Sequence, residues 1–454
     1  MSTAGVSIVA LVDEGLGNSS YLVDLGDGRA LAIDPERDPA PYLATAERRR
    51  LEIAFAAETH LHADFVSGSR ELASKGAQVL AAAAGGIEFP HRGLADGDEV
   101  DVGGLSLLAL ATPGHTPEHL SYLLLDGSRP VALFSGGSLL VGAVARTDLI
   151  SPDRTEELAR SLWRSLQERI LTLPDDVAIY PTHGAGSFCS APAGAGRTTT
   201  IGREKASNPL LAAADEDAFV KLLLGGLGSY PPYFLRLREI NRSGPAVCGP
   251  EPAALARLEV SRVRRLVDDG ALIVDVRPVG AFADRHVPGS LSIPLRDQFA
   301  TWLGWLVEPD RPLVVLLDQD QDRADVVRQA LKIGYGSLTG ELAGGIDAWE
   351  ASGLPVVRIP LLPASGVTSA VLDVRQDAEY AAGHLPDAIH VELGSLSATA
   401  ISKAGPLTVM CGHGERAMTA ASILAATGRD DLAVAIGGPD DWAVASGHRL
   451  ATGP

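Results

Sequence analysis

The chain has 454 residues, of which 46% are hydrophobic and 21% charged, a globular balance that excludes a disordered or fibrous protein. At about 150 residues per domain, the length predicts some three domains. Acidic residues outnumber basic ones, 57 to 38, and the formal charge of −19 argues against nucleic acid or an acidic membrane surface as a partner. Three cysteines cannot build a disulfide framework; they fit a reducing compartment, so a cytoplasmic location is expected. No secretory signal and no membrane span is expected, because the apolar runs are short and lack a basic segment ahead of them.

Strand-like runs separated by turns are expected at 6–12, 21–24 and 30–33, the last closed by Asp34-Pro35. A helical pattern covers 40–50, with Arg48, Arg49 and Arg50 in its solvated last turn. An apolar strand at 53–58 then delivers Thr59-His60-Leu61-His62-Ala63-Asp64. Further strands are expected at 78–81, 104–111, 119–125 and 131–135. A helix over 155–170 precedes a strand at 176–180, which delivers Pro181-Thr182-His183. Residues 184–206 read as a long Gly-, Ala-, Ser- and Thr-rich loop, and 214–240 as a helix and turn with an apolar surface. Gly244-Pro245 and Gly249-Pro250 bracket a domain boundary near 250.

Beyond 254 the chain repeats itself. Ile273-Val274-Asp275-Val276-Arg277 matches Val371-Leu372-Asp373-Val374-Arg375, and His286-Val287-Pro288-Gly289 matches His384-Leu385-Pro386-Asp387. Gly344-Gly345-Ile346-Asp347-Ala348-Trp349 matches Gly437-Gly438-Pro439-Asp440-Asp441-Trp442. The predicted division is therefore 1–250, 254–355 and 362–454, each repeat alternating short strands with helices around a mostly parallel sheet.

Two clusters carry chemistry. His60 and His62 share one face of a strand end, Asp64 continues that face, and His115 and His183 also follow strands. Imidazole and carboxylate at such positions suit zinc, iron or manganese. The second cluster is Cys411, placed after an apolar strand and before Gly412-His413-Gly414-Glu415-Arg416 and a helix. Loop amides and the helix N-terminus would point at its thiol, the glycines let the backbone curl, and Arg416 adds a positive charge.

The first cluster resembles the metallo-β-lactamase superfamily, whose HxHxDH motif appears as His60-Leu61-His62-Ala63-Asp64-Phe65. Segments 59–72, 112–124, 134–142, 146–149 and 180–189 look like persulfide dioxygenases and their rhodanese-fused relatives. The resemblance implies an αββα sandwich of the α/β class. It also implies two departures: Phe65 stands where the second-site histidine would be, and Gly137 where the family carries an aspartate. In persulfide dioxygenases that aspartate completes an iron site with the equivalents of His60 and His115, so the resemblance implies an incomplete iron triad and counts against dioxygenase activity. A site of His60, His62 and His115 remains, able to hold one zinc or iron ion, with Asp64 and His183 as outer partners or a weak second site. His119 and Cys189 are candidates for the substrate pocket. The alternative is a degenerate domain whose histidines are merely hydrogen-bonded.

The second cluster resembles the rhodanese active-site loop, CxxGxR, seen as Cys411-Gly412-His413-Gly414-Glu415-Arg416. In that family the cysteine takes up sulfane sulfur as a persulfide and passes it to a thiol. The first repeat has lost this loop: Asp318 takes the cysteine position and the glycines are absent, so 254–355 reads as a silent module whose Trp302 and Trp305 serve packing. The expected enzyme is a rhodanese-type sulfurtransferase moving sulfur from thiosulfate or a low-molecular-weight persulfide through Cys411 to a thiol. Alternatives are a dioxygenase or metal-dependent hydrolase at the N-terminal site, or a non-catalytic sulfur-relay scaffold. The expected partner is a small thiol or persulfide; a homodimer is left open.

Overall fold

The computed structural model describes residues 5–189, 196–336, 338–396 and 405–453. It divides into two compact units: Met1–Ala253 with Arg328–Tyr335, and Ala254–Val327 with Gly336–Pro454.

The first unit is built on two six-stranded sheets. In one, β1 (Ile8–Asp13), β2 (Asn18–Asp24), β3 (Arg29–Ile33), β4 (Glu52–Ala57), β5 (Gln78–Ala82) and β6 (Arg92–Leu94) lie side by side in chain order. The first three are antiparallel. From β3 onward the pairing is parallel, because the helices Ala40–Arg49 and Ser69–Ala73 carry the chain back between strands. In the other sheet β7 (Glu99–Asp101), β8 (Leu105–Ala111), β9 (Leu120–Asp126), β10 (Arg129–Gly136), β11 (Ala178–Pro181) and β12 (Thr199–Thr200) are again neighbours in order.

The inner faces meet in one core. Tyr21, Leu31, Ile33 and Phe55 from the first sheet pack against Leu107, Tyr122, Phe134 and Tyr180 from the second. The Tyr21 ring meets Tyr180 edge-on at 5.2 Å, and its hydroxyl donates to the Pro181 carbonyl at 2.6 Å, so its one polar atom is satisfied inside the core. Tyr42 and Ala46 of the helix Ala40–Arg49 cover the outer face of the first sheet. Ala159, Leu162, Phe219 and Leu223, from the helices Thr155–Ser165 and Glu216–Gly225, cover the second. This is the αββα sandwich expected from the sequence.

Local differences from the sequence reading have local causes. The helix over 155–170 is α-helical only to Ser165 and ends in a π-turn, Leu166–Ile170. The loop expected over 184–206 ends in β12 and a helix, Ile201–Ser207, which Thr200 caps by accepting from the Arg203 amide at 3.3 Å. The single helix expected within 214–240 is two, Glu216–Gly225 and Phe234–Ser243. Among the described residues, no helix is long and apolar enough to cross a membrane.

The second unit holds two five-stranded sheets, and every strand pair in them is parallel. One runs in the order Arg257–Leu258, Leu338–Leu342, Leu313–Leu316, Leu272–Asp275, Leu291–Ser292. The other runs Leu361–Pro363, Leu432–Ile436, Leu407–Met410, Ala370–Asp373, Ile389–His390, which is the same topology again. Asp275 and Asp373 occupy equivalent strand ends. Each takes a short ion pair, Asp275 from Arg277 and Asp373 from Arg375, both at 2.7 Å, and each arginine also donates to a backbone carbonyl eight residues on. These are structural clasps. Trp305, stacked on Trp302 at 5.3 Å, lies directly over the backbone of Gly394 in the other repeat. A Cβ at 394 would stand 2.0 Å from the indole nitrogen. Gly394→Ala is therefore expected to destabilise this unit by about 1–3 kcal/mol, the usual cost of overpacking, measured as a fall in denaturation midpoint.

Candidate metal centre

At the end of β4 the chain turns directly into Glu58–Asp64, so His60 and His62 emerge at the sandwich end with ring centroids 4.2 Å apart. The segment after β8 brings His115 to 4.8 Å from His60, and the segment after β11 brings His183 to 5.2 Å from His115. All four histidines and Asp64 are buried. Three sets of donor atoms lie within 4.8 Å of one another: His60, His115 and His183; Asp34, His60 and His62; Asp64, His183 and Cys189.

One nitrogen of each ring is anchored from behind. His60 Nδ1 meets Thr59 Oγ1 at 2.8 Å, and His115 Nδ1 donates to the Arg146 carbonyl at 2.6 Å. His62 Nε2 faces Glu58 and Asp34 at 3.0 and 3.2 Å; His183 Nδ1 faces Asn18 and Asp64 at 3.1 and 3.2 Å. That leaves His60 Nε2, His62 Nδ1, His183 Nε2 and Asp64 Oδ1 buried with no hydrogen-bond partner. Buried polar atoms are normally paired. Four orphaned donors in one cluster, each held from behind by a carbonyl, hydroxyl, amide or carboxylate, fit a transition metal such as iron or zinc.

Charge sorts these donors. Burial, reinforced by the neighbouring rings, holds His60 well below the usual imidazole range and His115 at about 3, so both are neutral with a free lone pair. Burial opposes charge on His62 as well, but Asp34 and Glu58 outweigh it and raise that ring to about 10. Asp64, despite burial, is held below the usual carboxylate range by His183. His60 and His115 are thus the imidazoles most ready to ligate, whereas His62 is drawn toward Asp34 and Glu58 on its Nε2 side.

The expectation that Gly137 breaks the ligand set is corrected here. A Cβ at 137 would lie 2.5 Å from His115 Cδ2 and 3.1 Å from the Ala145 methyl, so the His115 ring occupies the space a side chain would need. The carboxylates arrive from elsewhere, Asp34 after β3 and Asp64 after β4, and the metal-binding Asp and His donors are intact. Phe65 supplies no donor; it is fully buried and stacks on His62 at 4.2 Å, holding that ring in place.

His119 lies beside the cluster, 5.0 Å from His60, but both its nitrogens are used: Nδ1 meets Thr112 Oγ1 at 2.8 Å, and Nε2 accepts from the Gly137 amide at 3.0 Å. Cys189 is fully buried, 3.8 Å from Asp64 Oδ2, and burial pushes its thiol well above the ordinary range. The sequence reading passed over Asp34, whose oxygens also accept from the Thr59 amide and hydroxyl at 2.7 Å and from Thr182. Its only sequence signal was the Asp-Pro step that closes β3.

In the second unit, Cys411 follows the strand Leu407–Met410 and is almost fully buried. The Gly414 amide donates to its sulfur at 3.1 Å, and Gly414 takes φ 111°, a conformation glycine allows before the helix Glu415–Ala426. Arg416 reaches beneath the loop and closes a two-pronged pair with Glu379 at 2.6 and 2.7 Å. His413 is exposed and Gly412 and Glu415 are half-buried. In the first repeat the Asp318 amide donates to Gln321 Oε1 at 2.9 Å, and Gln321 Nε2 donates to the Val276 carbonyl at 2.7 Å, so a glutamine side chain fills that loop.

A model described as the metallo-beta-lactamase superfamily matches residues 9–183, and one described as a rhodanese-like domain matches 259–352 and 362–445. The persulfide dioxygenase ETHE1, mitochondrial, of Homo sapiens is 33% identical over 208 residues, which cover 45% of this chain and 75% of that protein. A hydroxyacylglutathione hydrolase of Rhizobium etli is 29% identical over 226 residues, covering 44% of this chain and 84% of its own. Among solved structures, a metallo-beta-lactamase from Staphylococcus aureus superposes with a TM-score of 0.65 at 31% identity, covering 74% of this chain and 99% of that one. The expectation of a sulfurtransferase in which oxygenation is doubtful does not stand. An intact donor cluster, together with these relatives, favours metal-site chemistry over sulfur transfer alone.

Orphaned donors predict a stability response. Protein stripped by chelator is expected to gain about 2.7 kcal/mol when iron(II) or zinc is supplied at about 100 times its dissociation constant, read as a rise in melting temperature. His60→Ala should abolish most of that rise.

Proposed function

Because the chain belongs to the metallo-beta-lactamase superfamily, in its ETHE1-type family, with two rhodanese-like domains behind that fold, we propose that its N-terminal site oxidises the sulfane sulfur of a low-molecular-weight persulfide with molecular oxygen. The observation that carries this reading is the convergence of His60, His115 and His183, with two of their inward nitrogens orphaned. Residues 1–250 would be the oxidising module, 254–355 a silent rhodanese-like module, and 362–454 a module that takes up sulfane sulfur.

His60, His115 and His183 would hold the metal, with Asp64 at its edge. Iron bound there would supply the redox capacity that lets dioxygen react with sulfur. The overall change balances without another oxidant: a persulfide, one dioxygen and one water give a thiol, sulfite and two protons, with four electrons passing from the sulfane sulfur to oxygen. The chain's own contribution is orientation and exclusion of water. The Arg146 carbonyl fixes the His115 tautomer so that its Nε2 faces inward. Asn18 and Asp64 do the same for His183. Asp34 and Glu58 hold the His62 ring in a fixed orientation at the edge of the cluster. Burial of the whole cluster keeps bulk water away from the reacting sulfur. Cys189, beside Asp64, is a candidate wall of that pocket, whereas His119 props the Gly137 backbone.

In the second unit, Cys411 in its amide-lined loop is read as a sulfane-sulfur acceptor, with Arg416 and the amides of Gly412, His413, Gly414 and Glu415 around it. Its persulfide would be the carried form. Asp318 at the equivalent position cannot carry sulfur.

Oxygen-electrode measurements with a low-molecular-weight persulfide test the reading. Iron-loaded protein is expected to consume oxygen and release sulfite. His115→Ala should lower that rate by about 100-fold or more, on the scale of losing a group essential to the chemical step, while sulfur loading on Cys411 persists. Persulfide consumption without oxygen uptake would refute the oxidation. Metal-dependent thioester hydrolysis would then move the site toward the hydroxyacylglutathione hydrolases.

A further inference from the structure

We propose that Glu379 selects the charge class of donor at the Cys411 loop: by neutralising Arg416 it favours singly charged persulfides over doubly charged donors such as thiosulfate. The inference rests on the reading of Cys411 as a sulfane-sulfur acceptor and adds what that acceptor discriminates.

Arg416 is the one cation within the loop, and both its terminal nitrogens are committed to the two oxygens of Glu379, at 2.6 and 2.7 Å. Such a two-pronged pair is the strongest geometry a guanidinium makes. Burial would lower the pKa of Arg416, but Glu379 more than offsets this, and Arg416 in turn holds the Glu379 carboxyl below its usual range. Two further charges beside the loop are paired as well. Arg375 is closed on Asp373 at 2.7 Å, and Glu415 faces Arg296 at 3.5 Å. Among the described residues, a donor approaching Cys411 therefore meets the Gly414 amide and a compensated guanidinium.

The pair is a choice of this loop rather than a demand of the fold. In the first repeat Ala281 stands at the position of Glu379, 98 residues earlier, and Arg323, the counterpart of Arg416, pairs with Glu341 on the strand Leu338–Leu342. Glu379 is also held in place independently: the Gln376 amide donates to it at 3.1 Å in the capping box of the helix Asp377–Ala382. Its carboxylate is thus aimed before any donor arrives.

The loading step needs no outside oxidant. The Cys411 thiolate attacks the outer sulfur of the donor, a new sulfur–sulfur bond forms, and the old one breaks. Its electron pair leaves on a thiolate if the donor is a persulfide, or on sulfite if it is thiosulfate. Both donors are thus attacked alike, and charge is what distinguishes them. A guanidinium left uncompensated would attract a dianion about twice as strongly as a monoanion, so cancelling it with Glu379 costs the dianion more.

The full-length chain and Glu379→Gln are loaded separately with thiosulfate and with 2-mercaptoethanol persulfide, whose only charge is on its sulfur. Sulfur on Cys411 is followed by intact mass, with Cys411→Ser as the blank. Gln keeps the capping acceptor while removing the charge; Glu379→Ala, the residue found in the first repeat, is the second variant. Both variants are expected to raise the thiosulfate-to-persulfide ratio of loading rates by about tenfold, and the gap between variant and parent should narrow as salt rises. Equal slowing with both donors would mark Glu379 as merely structural, and an unchanged ratio would show that its charge selects nothing; either overturns the proposal. If the parent chain loads from neither donor, the acceptor reading itself falls.

Discussion

The first unit depends on a single buried carboxylate. Asp34 accepts from the Thr59 amide and hydroxyl, which follow β4, and from Thr182, which follows β11, and it faces the His62 ring. β4 belongs to one sheet and β11 to the other, so one side chain ties the ends of both sheets where the histidines emerge. Its backbone is held at φ 47°, a region non-glycine residues occupy at a cost of about 1–3 kcal/mol. That strain is offset because a buried carboxylate with this many partners is satisfied, whereas the same group with fewer would be among the costliest in the core.

Orientation of the cluster follows from that anchor. Once Thr59 is fixed, His60 Nδ1 is held by the neighbouring hydroxyl and its Nε2 is turned inward. Once His62 Nε2 is taken by carboxylates, its Nδ1 is the only nitrogen left to face the centre. The glycine pair at the end of β10 completes the arrangement by omission. Gly136 lies against Thr59 and His119, and Gly137 lies against His115, so both rings pack directly on backbone. A position that looks impoverished in the sequence is therefore space already in use by the His115 ring.

Much of this was legible in the sequence, and the reason is locality. β4 ends at Ala57, so His60, His62 and Asp64 lie in the turn after it rather than on a strand face, but they directly follow that strand as His115 and His183 follow theirs, and this brings them to one end of a sandwich. The Cys411 loop was legible for the same reason: strand, glycines, arginine and helix are contiguous. What could not be read were partners chosen by tertiary folding. Asp34 looked like the close of a turn because its partners lie 25 and 148 residues away. His119 reads in the sequence as a substrate-pocket candidate, whereas the fold commits its second nitrogen to the Gly137 amide. Gly137 was misread because an absent side chain does not say what occupies its place.

The two repeats show how chemistry departs while a fold stays. Strand order, the Asp–Arg clasp and the histidine that bonds back to the preceding helix are the same in both. None of these contacts involves a residue of the loop. In the first repeat the Gln321 side chain accepts from the Asp318 amide and donates to the Val276 carbonyl, tying the loop to the neighbouring strand end. In the second, the Gly414 amide is turned toward the Cys411 sulfur, and the arginine that would stabilise an incoming anion is held by a carboxylate from another helix. Satisfying a loop from within stabilises the fold, and leaving its donors to a ligand makes a site; the same ~100-residue frame supports each solution because neither disturbs its core.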